Sequence, residues 1–328
     1  MNNILIIGCG SIGALKDDKY DSKNSKNILT LAHAFYNNPN TNELIFYDID
    51  IMKSKQAAIK WNGKYYTNLY DAIVDTHPEI IVVSVPTEYH HPAMLDIFNI
   101  ITETEYKSKL ILCEKPFTDN LAKAAQLEFL FSSLKIPIMV DYSRRFDHRI
   151  TCLRERLLNN QPIYHATLTY ARGFKRDASH GIDLFNYFFG TFLEGKILND
   201  KEAIMDFSEN DPTYAAYLSY EYCPHVFLRP IDGRDYDIFD IDIYCKGQRF
   251  NFVDHGKLMN TYIARPEGTY GDYNSIYHIP IGTNETNLTS SLSLLVENAY
   301  DYISTGSSLK CTSKDALKVH RVFKDLGV

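Results

Sequence analysis

The chain has 328 residues, 45% hydrophobic and 23% charged, enough apolar surface for two cores and too much for a disordered chain. Lysine and arginine total 34 against 41 acids, a net charge of −7, which offers no basic face to the phosphates of a nucleic acid. Apolar runs such as Ile80 to Val83 are far too short to cross a bilayer, and Met1-Asn2-Asn3 leads straight into a strand-like run, so neither membrane nor signal peptide is expected.

In chain order, Asn3 to Ile7 is a continuous apolar run ending in glycine, the look of a strand buried on both faces. Similar runs follow at Glu43 to Asp48, Ile80 to Pro86, Lys109 to Cys113 and Ile136 to Val140. Helix-period segments separate them at Asn27 to Tyr36, Pro92 to Ile101 and Asp119 to Leu134. Strands alternating with helices of this length predict right-handed crossovers and a parallel, doubly wound sheet. From about residue 146 the period changes. Ile163 to Ala171 reads as a strand, Ser179 to Phe189 as a helix, and Tyr214, Ala216, Leu218, Tyr220 and Tyr222 as an alternating strand. Phe239, Ile241, Ile243 and Cys245 alternate with polar residues more cleanly, and a helix from Asp315 to Leu326 closes the chain. The expected architecture is α/β: a Rossmann domain over 1–145, then an α+β domain over 146–328 with an open, mainly antiparallel sheet and helices on one face.

Six scattered cysteines without a CxxC pair read as reduced, buried residues of a cytoplasmic protein, and the sequon-like Asn284-Glu285-Thr286 and Asn287-Leu288-Thr289 carry no weight there. Adjacent His90 and His91 point apart and have no third ligand at suitable spacing, so no metal is expected; His91 reads as a helix-start residue before Pro92. The 24 tyrosines and 18 phenylalanines fall mostly in strand-like runs, as core and subunit-interface residues.

Gly8-Cys9-Gly10-Ser11-Ile12-Gly13 follows the first strand directly. Its first glycine permits a tight turn, the second lets a pyrophosphate approach the backbone, and the third lets helix and strand pack closely. Asp48 ends the second strand, where an acid binds the adenosine ribose. It lies farther from the glycines than usual because a polar insertion, Lys16 to Lys26, intervenes as a loop expected at the cofactor mouth. Ile49 and Asp50 follow Asp48, so a 2′-phosphate would meet acids and no cation, and NAD is favoured over NADP. Glu114-Lys115-Pro116 ends the fourth strand at the ligand-binding edge of such a sheet, where a lysine can orient a hydroxyl or help move its proton. His180 and Asp183 share one helix face, and histidine suits proton transfer near neutral pH.

With these motifs in order the chain resembles the glucose-fructose oxidoreductase/inositol dehydrogenase (Gfo/Idh/MocA) family over nearly its whole length. Pro86-Thr87-Glu88-Tyr89-His90 and Asp141-Tyr142-Ser143-Arg144-Arg145-Phe146 add to the glycine, Glu-Lys-Pro and Ser179-His180-Gly181-Ile182-Asp183 motifs. The resemblance implies that Lys115 is the catalytic lysine, close to the cofactor as well, and His180 the acid/base. It puts Asp183, Tyr142 and Arg145 at the substrate. Pro86, Thr87, His90 and Glu114 are expected beside the cofactor with Gly8, Gly10, Ser11, Ile12, Gly13 and Asp48. Many members carry an aspartate four residues before the histidine, where this chain has Arg176; Asp177 is one position off. The stretch from Ala171 to His180 looks closer to a branch associated with surface-polysaccharide sugars, and Arg172, Lys175 and Arg176 are candidates to bind a substrate phosphate or carboxylate.

The expected function is NAD-dependent hydride transfer at a secondary alcohol or ketone of a sugar or nucleotide-linked sugar, by a homodimer or homotetramer. The alternatives are a redox-neutral, NAD-dependent glycosidase and a non-catalytic dinucleotide-binding sensor of the same fold.

Overall fold

Six short strands, most of them apolar, assemble into one parallel sheet. A computed structural model describes residues 1–199, 202–269, 271–280 and 284–328. The sheet contains β1 (Asn2–Ile7), β2 (Thr41–Tyr47), β3 (Lys64–Tyr66), β4 (Ile80–Val83), β5 (Leu110–Cys113) and β6 (Ile138–Val140). Their order is β3-β2-β1-β4-β5-β6, so the direction of winding reverses between β1 and β4. Ligands bind outside the carboxyl ends of the strands at such a reversal. The intervening helices are α1 (Leu31–Tyr36), α2 (Ile51–Trp61), α3 (Leu69–Thr76), α4 (Thr87–Thr104) and α5 (Leu121–Ser133). Asp50, Asn68 and Asn120 cap α2, α3 and α5 by accepting backbone N–H bonds in the first turn.

The glycine turn does not open a continuous helix. Ala14 N and Leu15 N both bond to Gly10 O, making one turn before the chain leaves. It returns at α1, four residues later than the apolar period suggests, because Thr30 is the N-cap. Leu31 N then bonds to Ile12 O and Ala32 N to Gly13 O, each at 2.9 Å, so α1 resumes the ladder that the glycine turn began. The insertion between them is pinned by Asp21, which is fully buried. Its Oδ2 accepts from Thr30 Oγ1 at 2.7 Å, while Oδ1 accepts from Leu29 N and faces His33 Nδ1 at 2.6 Å. His33 stacks on Trp61, whose indole N–H reaches Ala14 O.

The second half holds α6 (His148–Asn159), β7 (Ile163–Tyr170), a π turn at Phe174–Ala178 and α7 (Ser179–Phe189). The strands β8 (Phe192–Ile197), β9 (Ile204–Ser208), β10 (Asp211–Thr213), β11 (Ala216–Tyr220) and β12 (Cys223–Pro230) follow. After them come β13 (Phe239–Cys245), β14 (Gln248–Val253), β15 (Leu258–Pro266) and β16 (Asn274–Ile279), and then helices α8 (Ser291–Thr305) and α9 (Ser313–Leu326). Eight strands form one sheet in the order β16-β15-β14-β13-β7-β12-β11-β8; β9 and β10 pair separately. The sheet is antiparallel except that β7 and β12 run parallel. Along β13 the alternate residues Phe239, Ile241, Ile243 and Cys245 are buried, as their spacing requires.

Two compact units result: 1–146 with 289–317, and 147–288 with 318–328. A division at 145/146 puts 289–317 in the second domain, whereas those residues pack with the first; Tyr300 on α8, for example, bonds through its hydroxyl to Thr41 Oγ1 and meets Phe35 edge-on. Other expectations also shift. The helix after β4 begins at Thr87, so Pro92 lies inside it and His91 does not start it. Pro92 lacks an N–H, so the Glu88 carbonyl loses its helical donor. Tyr214 and Tyr222 fall outside β11, whose buried residues are Ala216, Leu218, Ser219 and Tyr220. Among the described residues no helix is long and apolar enough to cross a membrane.

Candidate active site

At the switch point the carboxyl ends of β1 and β4 almost touch. Gly8 takes φ +89, and a Cβ there would meet the Ser84 and Val85 backbone at 2.7 Å. Ser84 Oγ locks the approach by donating to the Gly8 carbonyl. A Cβ on Gly13 would overlap the Gly8 carbonyl, whereas one on Gly10 would meet nothing within 4 Å. The second glycine therefore leaves open backbone facing outward, and a phosphate can approach it closely.

A groove of about 1070 Å³ opens there, large enough for a small-molecule cofactor. Of the residues expected at a cofactor, Gly8, Gly10, Ser11, Ile12, Asp48 and Pro86 line it. Gly13, Thr87, His90, Glu114 and Lys115 are not among its walls, nor is any residue of the Lys16 to Lys26 insertion. Asp48 is anchored by backbone donors: its Oδ2 accepts from Cys9 N at 2.7 Å and its Oδ1 from Asp50 N at 2.9 Å. Both oxygens keep a lone pair for ribose hydroxyls. Lys53, in the first turn of α2, also lines the groove. Sequence reading stopped at the two residues after Asp48 and missed this cation. The first turn of a helix starting at Ile51 brings position 53 back to the strand end, a signal available only once that helix is recognised.

The ends of β4, β5 and β6 carry the second cluster. His90 is buried and its Nε2 donates to Val85 O at 2.8 Å. Its Nδ1 faces the carbonyls of Pro116 and Phe117 at 3.1 and 3.3 Å and lies 3.6 Å from Cys113 Sγ. Burial lowers the His90 pKa, and the three carbonyls oppose that shift without cancelling it. His90 thus ties the loop after β4 to the loop after Lys115, whose bond to Pro116 is cis. Lys115 is half-buried. Glu114 is buried, and burial together with the neighbouring Asp141 carboxyl pushes its pKa well above the usual carboxylate range. Tyr142 is fully buried, and Arg145, 3% exposed, pairs with Asp315 at 3.4 Å.

In the second unit His180 is half-buried in the first turn of α7 and meets Phe239 edge-on, while Asp183 is buried. The preceding segment is built around acids. Asp206 Oδ2 accepts from Arg172 N at 2.7 Å and Gly233 N at 2.9 Å, and its Oδ1 from Thr213 Oγ1 at 2.6 Å. Asp211 accepts from Lys175 N at 2.7 Å and Arg176 N at 2.9 Å. The Arg172 guanidinium reaches Asp237 at 3.3 Å; that of Arg176 lies 3.8 Å from Asp177 and stacks on Phe207 at 4.3 Å. Both side chains therefore already have acidic or aromatic neighbours within their own unit.

Known proteins resemble parts of this sequence and share its fold. Residues 2–142 fit the model of an oxidoreductase family with an NAD-binding Rossmann fold. An uncharacterised oxidoreductase of Schizosaccharomyces pombe is 30% identical over 109 residues, covering 33% of this chain and 28% of its own. The inositol 2-dehydrogenase of Corynebacterium glutamicum strain R is 24% identical over 178 residues, 54% of this chain and 46% of its own. These matches thus span about a quarter to a half of the relatives' length. Among solved structures, the WlbA dehydrogenase of Bordetella pertussis, in complex with NADH and UDP-GlcNAcA, superimposes with a TM-score of 0.72 at 11% identity, over 99% of this chain and 95% of that one. At that identity the likeness concerns the fold alone.

Proposed function

We propose, for a chain whose residues 2–142 match the model of the Gfo/Idh/MocA oxidoreductase family, that it transfers hydride between a nicotinamide cofactor and a secondary alcohol or ketone of a sugar or nucleotide-linked sugar. The reading is carried by one observation: an open glycine turn, an anchored strand-end carboxylate and a groove at the switch point of a parallel sheet. Relatives named as inositol 2-dehydrogenase and a fold neighbour holding a nucleotide sugar support the substrate class.

The groove fits a dinucleotide, with Gly10 at the pyrophosphate and Asp48 at the adenosine ribose. When bound, that group supplies the hydride acceptor or donor. Lys115 holds the substrate oxygen with its ammonium, and His180 accepts the hydroxyl proton during oxidation and returns it during reduction. Asp183, Tyr142 and Arg145 serve the substrate side, and Arg172 and Arg176 are available to an anionic substituent once their present neighbours yield. Asp48 favours NAD; Lys53 supplies the one groove-lining cation among the described residues that could soften the preference against a 2′-phosphate. The assembly is proposed to be a cytoplasmic homodimer or homotetramer, which light scattering measures directly.

The test is nicotinamide absorbance with NAD(H) or NADP(H) against inositols, free sugars and nucleotide sugars. Turnover of one of them with NAD is the expected result. Replacing Lys115 or His180 by Ala should then lower turnover by about 10²–10⁴ with NADH binding intact. NADH binding without consumption of any sugar in the panel would sink the dehydrogenase reading.

A further inference from the structure

Glu114 and Asp141 lie far apart in sequence, yet the register of β5 and β6 makes them neighbours. Cys113 pairs with Val140, so the next residue on each strand emerges side by side at the carboxyl edge. Asp141 N bonds to Cys113 O and Glu114 N to Val83 O, each at 2.9 Å, fixing both positions. The carboxyls are 8% and 4% exposed by residue. Glu114 Oε2 accepts from Lys115 N at 3.2 Å. Glu114 Oε1 and Asp141 Oδ1 are buried, and no donor reaches either from the described protein groups. The two acids thus sit side by side in a dry site. Two ionised carboxylates are acceptors only and repel each other, so a proton between them is what would satisfy such a pair.

We propose that Glu114 and Asp141 share one proton and present a single negative charge to the Lys115 ammonium, acting as a positioning pair that holds this lysine cationic and in place. The kinetic part of this proposal rests on the reading of Lys115 given above; the shared proton does not. A doubly ionised pair would be two like charges in a dry site, and a neutral pair would withdraw the negative charge that the half-buried ammonium meets there. The state between these is the one burial selects. Burial and mutual repulsion push Glu114 well above the usual carboxylate range, and Asp141 is raised to about 6, with Lys115 opposing both shifts. Three further titratable groups lie on the elements around the pair. Cys113 is kept a thiol by burial, His90 from α4 is favoured neutral, and Arg145 in the turn after β6 is matched by Asp315.

Amide substitutions separate charge from shape. In Asp141→Asn the amide donates to an ionised Glu114, which keeps one negative charge without a mobile proton. In Glu114→Gln/Asp141→Asn the hydrogen bond survives and the charge is gone. Infrared spectra of the intact protein at pH 7.5 should contain a buried protonated-carboxyl band that Asp141→Asn and Glu114→Gln each abolish. A wild-type spectrum without that band, or a band unchanged in both variants, overturns the shared proton whether or not any sugar is turned over. For kcat/KM the double variant should lose about tenfold or more at pH 7.5, the effect of one lost charge contact, with NADH affinity unchanged. Asp141→Asn should keep most of the activity, and its acid limb should move below the one near pH 6 in the wild type. A double variant as active as Asp141→Asn would show that the pair only holds the strand ends together and would overturn the positioning role. Absence of turnover from the wild type counts against the proposed function, and the infrared result still decides the proton.

Discussion

Two places in this molecule gather carboxylates, and they satisfy them in opposite ways. In the second unit, Asp206 takes three donors and Asp211 at least two, nearly all of them backbone N–H groups of the segment from Arg172 to Arg176 and its surroundings. At the end of β5 and β6, Glu114 and Asp141 face each other, with one backbone donor from Lys115. A carboxylate wrapped in fixed donors needs its full charge and shapes a loop. Two carboxyls leaning on one another need a proton, and their charge changes with pH. Burial of an acid therefore says little about its task until its donors are identified.

The same substitution should have unlike effects at the two places. Asp21 belongs with the donor-wrapped class, and being fully buried it should show the largest effect. Asp21→Ala leaves Thr30, Leu29 N and His33 without their acceptor and should cost about 3–5 kcal/mol by urea denaturation. Asp206→Asn turns an amide N–H, itself a donor, toward donors and should cost about 2 kcal/mol. Asp141→Asn should not destabilise at pH 8. Proton linkage sets the sign. The unfolded Asp141 releases its proton near 3.8 and the folded one near 6, so between these values the native state holds more protons. The contribution of Asp141 to stability is then fully present below 3.8 and is lost as pH rises through 6. Denaturation of the wild type against Asp141→Asn across that window should show the variant's curve flatter and crossing above. An equal loss at both aspartates would erase the distinction. A smaller loss, about 1–2 kcal/mol, is expected for Thr30→Ala, which removes the cap of α1 and one donor to Asp21.

The parallel core was legible because β1, β4 and β5 are buried along most of their length and read as unbroken apolar runs. The glycine turn was legible because Gly8 and Gly13 each have a steric reason, while Gly10 leaves open backbone between them. Three-residue β3, with two exposed residues, has no period to read. Helix α2 was hidden by Met52, Ile59 and other apolar residues on its exposed side, and Lys53 was lost with it. The return of α8 to the first unit depends on pairings such as Thr41 with Tyr300, which no local pattern announces. The same holds for Glu114 and Asp141: strand register, invisible in one sequence, turns two ordinary acids into a pair.

Because Leu31 and Ala32 rejoin the helical ladder at Ile12 and Gly13, the excursion between them starts and finishes on adjacent rungs. Closing a longer loop between fixed ends costs only about 0.6 kcal/mol per doubling of its length. The exposed tip formed by Asp18, Lys19 and Tyr20 is therefore a graft point, where a reporter domain can be spliced in while Asp21 keeps the glycine turn in register.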